Sequence, residues 1–141
     1  MKFINPPGLY DPRPNGYSHV VIAEAPARII YIAGQGGEDA EGVLSESFEE
    51  QVRQALANLQ TALAAADARL SDVAKVTALI VDHNEERLGI FSSALRAAWG
   101  DLPAPACTLI PVPRLALDGM LFEIEATATS ASTVISVEQA Q

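Results

Sequence analysis

From Ser47 to Ala66 the apolar residues Phe48, Val52, Ala55, Leu56, Leu59, Leu63 and Ala66 recur at the spacing of one helical face. Glu49, Glu50, Arg53, Gln54, Asn58, Gln60 and Thr61 fall mainly on the opposite side, so the spacing predicts an amphipathic helix. Ser47 followed by Glu50 has capping-box spacing, with the serine oxygen accepting from an early amide and the glutamate reaching back to the serine's own amide. A helix of about 20 residues rising ~1.5 Å each is roughly 30 Å long and needs a sheet beneath it.

The pattern changes period on either side of this helix. Ser18 to Glu24 and Ile29 to Ala33 are short apolar runs, predicted to form a hairpin with Pro26 in its turn. Asp72 to Val81 alternates Ala74, Val76, Ala78 and Ile80 against a mixed face, which predicts a strand covered on at least one side. Asp82 or Asn84 can cap a second helix, whose stripe is Leu88, Phe91, Leu95, Ala98 and Trp99 and which Gly100 and Pro103 close. Cys107 to Val112 and Met120 to Thr129 read as two further strands, the first at an edge because Pro111 cannot donate to a ladder.

The predicted fold class is α+β. The order β-β-α-β-α-β-β places two helices on one face of a mixed sheet, the long helix making a right-handed crossover between parallel strands. Residues 1–141 fit one domain, with residues 1–16 as a proline-rich N-terminal arm and residues 130–141 as a polar tail. The other sheet face is left without cover, and an open apolar face is expected to be buried by self-association.

Charge narrows the partners. Nine Lys and Arg against 18 Asp and Glu give a net charge of −9, which repels a phosphate backbone, so no nucleic-acid partner is expected. No apolar run is long enough for a membrane span, since the stretch Leu102 to Pro113 is interrupted by four prolines. A single cysteine, Cys107, excludes an intrachain disulfide and fits a cytoplasmic location.

The richest chemistry lies on the last strand. A period of two puts Phe122, Ile124 and Ala126 on one face and Glu123 with Glu125 on the other, roughly 7 Å apart, where one carboxylate could serve as general acid or base. A solvated strand face is the plainer alternative. Cys107 is a candidate nucleophile or a small apolar core residue, Tyr17 a candidate to stack on a ligand or simply a packed ring. Arg114 is the only cation between Arg96 and the C-terminus, hence the local candidate to meet an anionic ligand. Gly34, Gly36 and Gly37 allow a sharp turn or a close approach, but no Walker lysine follows them. His19 and His83 have no metal-site spacing, and no metal is expected.

Taken together, Asn15-Gly16-Tyr17-Ser18-His19, Ile32-Ala33-Gly34-Gln35, Phe48 to Leu59, Leu70 to Thr77 and Phe122-Glu123-Ile124-Glu125-Ala126 resemble the RidA (YjgF) family across roughly Tyr17 to Thr129. The resemblance implies a chorismate-mutase-like subunit, a homotrimer with ligand clefts between subunits, and hydrolysis of 2-imino or enamino acids to 2-oxo acids and ammonia without a cofactor. It implies that Tyr17, Gly34, Cys107 and Glu123 line the cleft, with Glu123 orienting a water.

The chain departs from the family at one position. The family's Pro-Ala-Arg-Ser/Thr motif, whose arginine binds the substrate carboxylate, corresponds to Pro103-Ala104-Pro105-Ala106-Cys107-Thr108, with Pro105 at the arginine position. Losing a charge-assisted contact worth roughly 1.5 to 3 kcal/mol predicts a loss of ~10 to ~150-fold for carboxylated substrates. The expected function is a small-molecule cleft for a different, less anionic metabolite, with Glu123 activating water and Arg114 a candidate replacement cation. The alternatives are an imine deaminase anchored by another group and a non-catalytic binding or chaperone-like trimer.

Overall fold

The computed structural model describes residues 1–24 and 27–131. In chain order its elements are β1 (Lys2–Ile4), β2 (Val20–Ile22), β3 (Ala27–Gly36), α1 (Phe48–Ala65), β4 (Val73–Val81), α2 (Glu85–Trp99), β5 (Ala106–Val112) and β6 (Phe122–Ala131). A 3-10 turn at Arg13–Asn15, which includes Pro14, ends the arm, and a second at Leu70–Asp72 leads into β4. The α+β class and both helices are as the sequence predicts. No helix among the described residues is long and apolar enough to cross a membrane.

The main sheet has the order β3-β6-β4-β5. β6 runs antiparallel to both its neighbours, and β4 and β5 run parallel. β3 and β4 are therefore parallel to each other, and α1 carries the chain between them across the strand that separates them. β5 lies at an edge, where the missing amide of Pro111 leaves no bond unmade.

Two expectations fail at the N-terminus. β2 does not form a hairpin with β3: it pairs antiparallel with β1, Lys2 opposite Ile22 and Ile4 opposite Val20. β3 pairs along one edge with β6, from Ala27 opposite Ala131 to Gly36 opposite Glu123, and its other edge is the open edge of the sheet, which β2 leaves unpaired among the described residues. The arm is thus partly strand, and its pairing stops just before Pro6 and Pro7, which cannot donate. The turn expected at Pro26 lies outside the described residues, as does the tail from residue 132 onward. The last strand runs two residues further than expected, to Ala131.

Local chemistry explains the helix ends. Ser47 Oγ accepts from the Glu50 amide at 3.3 Å, but the other half of the capping box is rerouted. Glu50 accepts from Ser45 Oγ, and Ser45 Oγ in turn accepts from the Ser47 amide at 3.1 Å. Asn84 caps α2 by accepting from the Arg87 amide at 2.8 Å.

Both helices place their buried residues in one core with the inner sheet face. Phe122, fully buried, lies 5.5 Å from the Phe91 ring of α2 and 6.1 Å from the Phe48 ring of α1. Val52, Leu59, Val76, Ile80, Leu95 and Ile124 fill the space around it. Leu88, placed in the α2 stripe by its spacing, is instead 38% exposed. On the outer face, Glu123, Glu125, Thr127 and Thr129 of β6 stand beside Ile29 and Tyr31 of β3, which are 61% and 78% exposed. That face is mixed in character, less apolar than an open sheet face is expected to be.

Candidate functional site

Glu123 and Gly34 are brought together by an irregularity in the sheet. The β3–β6 register passes from Ile32 opposite Ala126 to Gln35 opposite Ile124, one extra residue on β3, which is a β-bulge. The bulge delivers Gly34 against the Glu123 side chain, where a Cβ would stand 2.7 Å from Glu123 Cδ and 3.0 Å from its Cγ. Only glycine leaves room for the carboxylate. Glu123 is half-buried and Glu125 exposed, both on the face opposite buried Phe122, Ile124 and Ala126. Among the described residues neither acid forms an ion pair.

A second group forms where the segment after the arm crosses the start of β5. The Ser18 amide donates to Pro105 O at 2.8 Å and Ser18 Oγ to Ala104 O, in a parallel bridge between Ser18 and Ala106. This fixes Tyr17 beside Pro105. The Tyr17 ring packs edge-on against Tyr10 and His19, with centroids 6.4 and 5.5 Å away, while Tyr10 and His19 are 4.9 Å apart. His19 is held in turn, with Nε2 2.8 Å from Tyr10 O and its amide donating to Asn5 Oδ1 at 2.8 Å. Pro105 is fully buried and offers no charge.

Cys107 follows in register with Val76 and packs against the core. Burial pushes its thiol up to about 11, against the opposing pull of the Lys75 ammonium, so it carries its proton at neutral pH. A thiol in that state is a poor nucleophile. Lys75, on the outer face, donates from Nζ to Thr108 Oγ1 at 2.6 Å.

The two groups do not meet within one subunit. Cys107 is level with Val76 and, through β4, with Ala126, so Glu123 lies three residues along and two strands across. That is about 10 Å in each direction, with the two side chains on opposite sheet faces. Arg114 joins neither Pro105 nor Cys107. It lies past the far end of β5, where its guanidinium donates to Asp118 Oδ1 at 3.0 Å and to Leu115 O at 3.3 Å. No group of three or more His, Cys, Asp or Glu among the described residues is placed to hold a metal.

Sequence reasoning missed three contributors. Tyr10 sits in an arm whose composition reads as loop, and its approach to Tyr17 has no local signal. Ser18 acts through a contact 86 positions away in the chain. Lys75 was legible in principle, since strand alternation sets it on the face opposite Val76 and Ala78.

The geometry can be set beside known proteins. A family model described as Endoribonuclease L-PSP matches residues 11–130. The RutC family protein PH0854 of Pyrococcus horikoshii is 33% identical over 120 residues, 83% of this chain and 90% of that protein. The 2-iminobutanoate/2-iminopropanoate deaminase of Rattus norvegicus is 33% identical over 116 residues, covering 79% of this chain and 78% of its own. Among solved structures, a Rid-family protein of unknown function, YyfB from Yersinia pestis, superposes with a TM-score of 0.86 at 35% identity, covering 90% of this chain and 96% of that one.

Proposed function

The chain belongs to the endoribonuclease L-PSP family, and on that premise we propose that it works as a homotrimer whose small-molecule cleft lies between subunits and takes a metabolite less anionic than a 2-imino acid. One wall is Tyr17 of one subunit, backed by the buried Pro105 and half-buried Cys107, and the other is Gly34 and Glu123 of its neighbour. Two groups of candidate residues on opposite faces of one sheet support this division, because each is half of a site by itself. The exposed Ile29 and Tyr31 on the outer face support association, since a second copy would cover them.

The observation that carries the reading is Pro105. The resemblance puts it at the family's arginine position, and its buried ring has no charge to offer a substrate carboxylate. What remains suits hydrolysis of a neutral imine or enamine. Glu123, held against Gly34, takes a proton from water as the oxygen adds to the C=N carbon. The proton passes to nitrogen, giving a carbinolamine; Glu123 then takes the new hydroxyl's proton and returns it to the amine, so that the C–N bond breaks and ammonia leaves as the carbonyl forms. Tyr17 and the backbone near Gly34 and Cys107 hold the ligand, the neutral Cys107 thiol serving as a weak donor. A net charge of −9 counts against RNA as the substrate.

The second reading is a deaminase for carboxylated imines that uses another cation. The activity named for the rat relative favours it, as does Lys75, whose ammonium reaches the start of β5. Amino-acid oxidase generates 2-imino acids in the assay, and semicarbazide traps what is not hydrolysed. Hydrolysis no faster than in buffer, rising in Pro105→Arg and abolished again by adding Glu123→Gln, supports the first reading. Rapid hydrolysis by the unaltered chain that Lys75→Met removes supports the second. Loss of neither activity nor ligand binding in Glu123→Ala would sink both.

A further inference from the structure

Behind Tyr17, between the two-stranded sheet, the turn at Arg13–Asn15 and the C-terminal end of α2, lies a cavity of about 360 Å³. Its volume falls within the range of small-molecule sites. Two side chains in its wall have bonding capacity that the fold does not use. Trp99 is 4% exposed, and its indole Nε1 is buried with no hydrogen-bond partner among the described residues. Such orphans are rare, because an unpaired buried donor costs about 1 to 3 kcal/mol.

Arg96 is the other. Its guanidinium reaches Ser93 Oγ at 3.4 Å, the long limit of a hydrogen bond, and forms no ion pair among the described residues of a chain carrying 18 acids. Capping α2 does not occupy it either. The carbonyl of Arg96 accepts from the Gly100 amide at 2.9 Å and that of Trp99 from the Leu102 amide at 3.0 Å.

The cavity wall is otherwise quiet. Arg13 also lines it but is engaged by Asp11, through Nε at 2.8 Å and Nη2 at 2.9 Å. Asp101, on the same wall, is exposed and pairs with neither arginine. The arginine stem is placed by Gly16, whose φ of +84° brings the turn so close that a Cβ there would lie 3.4 Å from Arg96 Cγ.

We propose that this cavity is a second ligand site, for a small carboxylate, with one oxygen on the Arg96 guanidinium and the other on the Trp99 indole N–H. It is separate from the intersubunit cleft but shares a wall with it. Ser18 and Ala104 line the cavity, and the bond between them holds Tyr17 beside Pro105. A carboxylate bound here therefore bears on the cleft from behind.

Trp99 is the only tryptophan, so its single indole 1H–15N signal and the intrinsic emission both report on this site. The whole chain is titrated at constant ionic strength with sodium propionate, with propionamide and inorganic phosphate as separate arms. A saturable downfield shift of the indole proton with propionate, absent with propionamide, is expected. Arg96→Met, which keeps the methylenes against Gly16, is expected to weaken binding by ~10-fold or more. If that variant fails to fold, Arg96→Lys should bind several-fold weaker for want of the planar fork. An unmoved or non-saturating signal, saturation by phosphate alone, or equal affinity in the arginine variant that folds would overturn the assignment.

Discussion

The Glu123 carboxylate fills the space where Gly34 would carry a side chain: a Cβ on Gly34 would stand 2.7 Å from Glu123 Cδ, and the atom that must yield is the far end of a flexible chain. Gly34→Ala is therefore expected to fold, losing about 1 kcal/mol or less, while pushing the carboxylate out of position. A displacement of about 1 Å can cost ~100-fold in turnover, so activity should fall by at least 10-fold with little change in Tm.

Gly37 makes the opposite prediction. A Cβ there would meet Gln51 Cα at 2.6 Å and Gln51 O at 2.8 Å, atoms of the α1 backbone that cannot swing aside. Gly37→Ala should cost about 3 kcal/mol, the upper end of overpacking penalties, and lower Tm by roughly 6 to 12 °C in a thermal melt.

Gln51 itself is a buried amide with all its capacity used. Nε2 donates to Ser45 O at 2.7 Å and Gly119 O at 2.8 Å, and Oε1 accepts from the Leu121 amide at 2.9 Å. Gln51→Leu strands two carbonyls and one amide, at about 1 to 3 kcal/mol for each buried group left unpaired. Urea unfolding should show a lower midpoint with an unchanged slope.

The Cys107 thiol gives a pH signature. Its folded value is raised from 9.0 to about 11, so the native state holds its proton where the unfolded chain has released it. Stability is then full below pH 9 and is lost as pH rises from 9 toward 11, by about 2 to 3 kcal/mol in total. Cys107→Ala should lack this particular fall, which denaturant melts at pH 8, 9, 10 and 11 would reveal by difference.

Arg114→Gln is expected to leave ligand binding and hydrolysis unchanged. The side chain is 68% exposed and its partner Asp118 is 97% exposed, a surface pair worth at most about 1 kcal/mol. A loss of activity above about 5-fold, more than that stability change explains, would place Arg114 in the cleft after all.

What the sequence made legible was local. The α1 face, the Asn84 cap, the alternation of β4 and β6 and the edge position of β5 all follow from spacing within one segment. Partner choice was not, because nothing in Val20 to Ile22 says that Lys2 to Ile4 will pair with it. Leu88 shares an angular stripe with Phe91, yet angle alone does not tell how far the sheet beneath extends. The same division holds at the site. Glu123 on a polar face and a glycine suited to close approach were readable, whereas their meeting depends on a bulge in the register. The vacant bonding capacity of Trp99 has no counterpart in sequence at all.

β6, an interior strand of the sheet, is also the last of the described strands to be synthesised. β3 and β4 are held apart by β6, so until Phe122 onward leaves the ribosome β3 has no ladder partner and β4 has only β5. At about 5 to 20 residues per second that wait lasts several seconds. Nascent chains ending before residue 122 should accordingly be sensitive to protease and held by chaperones, and truncation at that point should abolish cooperative unfolding instead of merely lowering its midpoint.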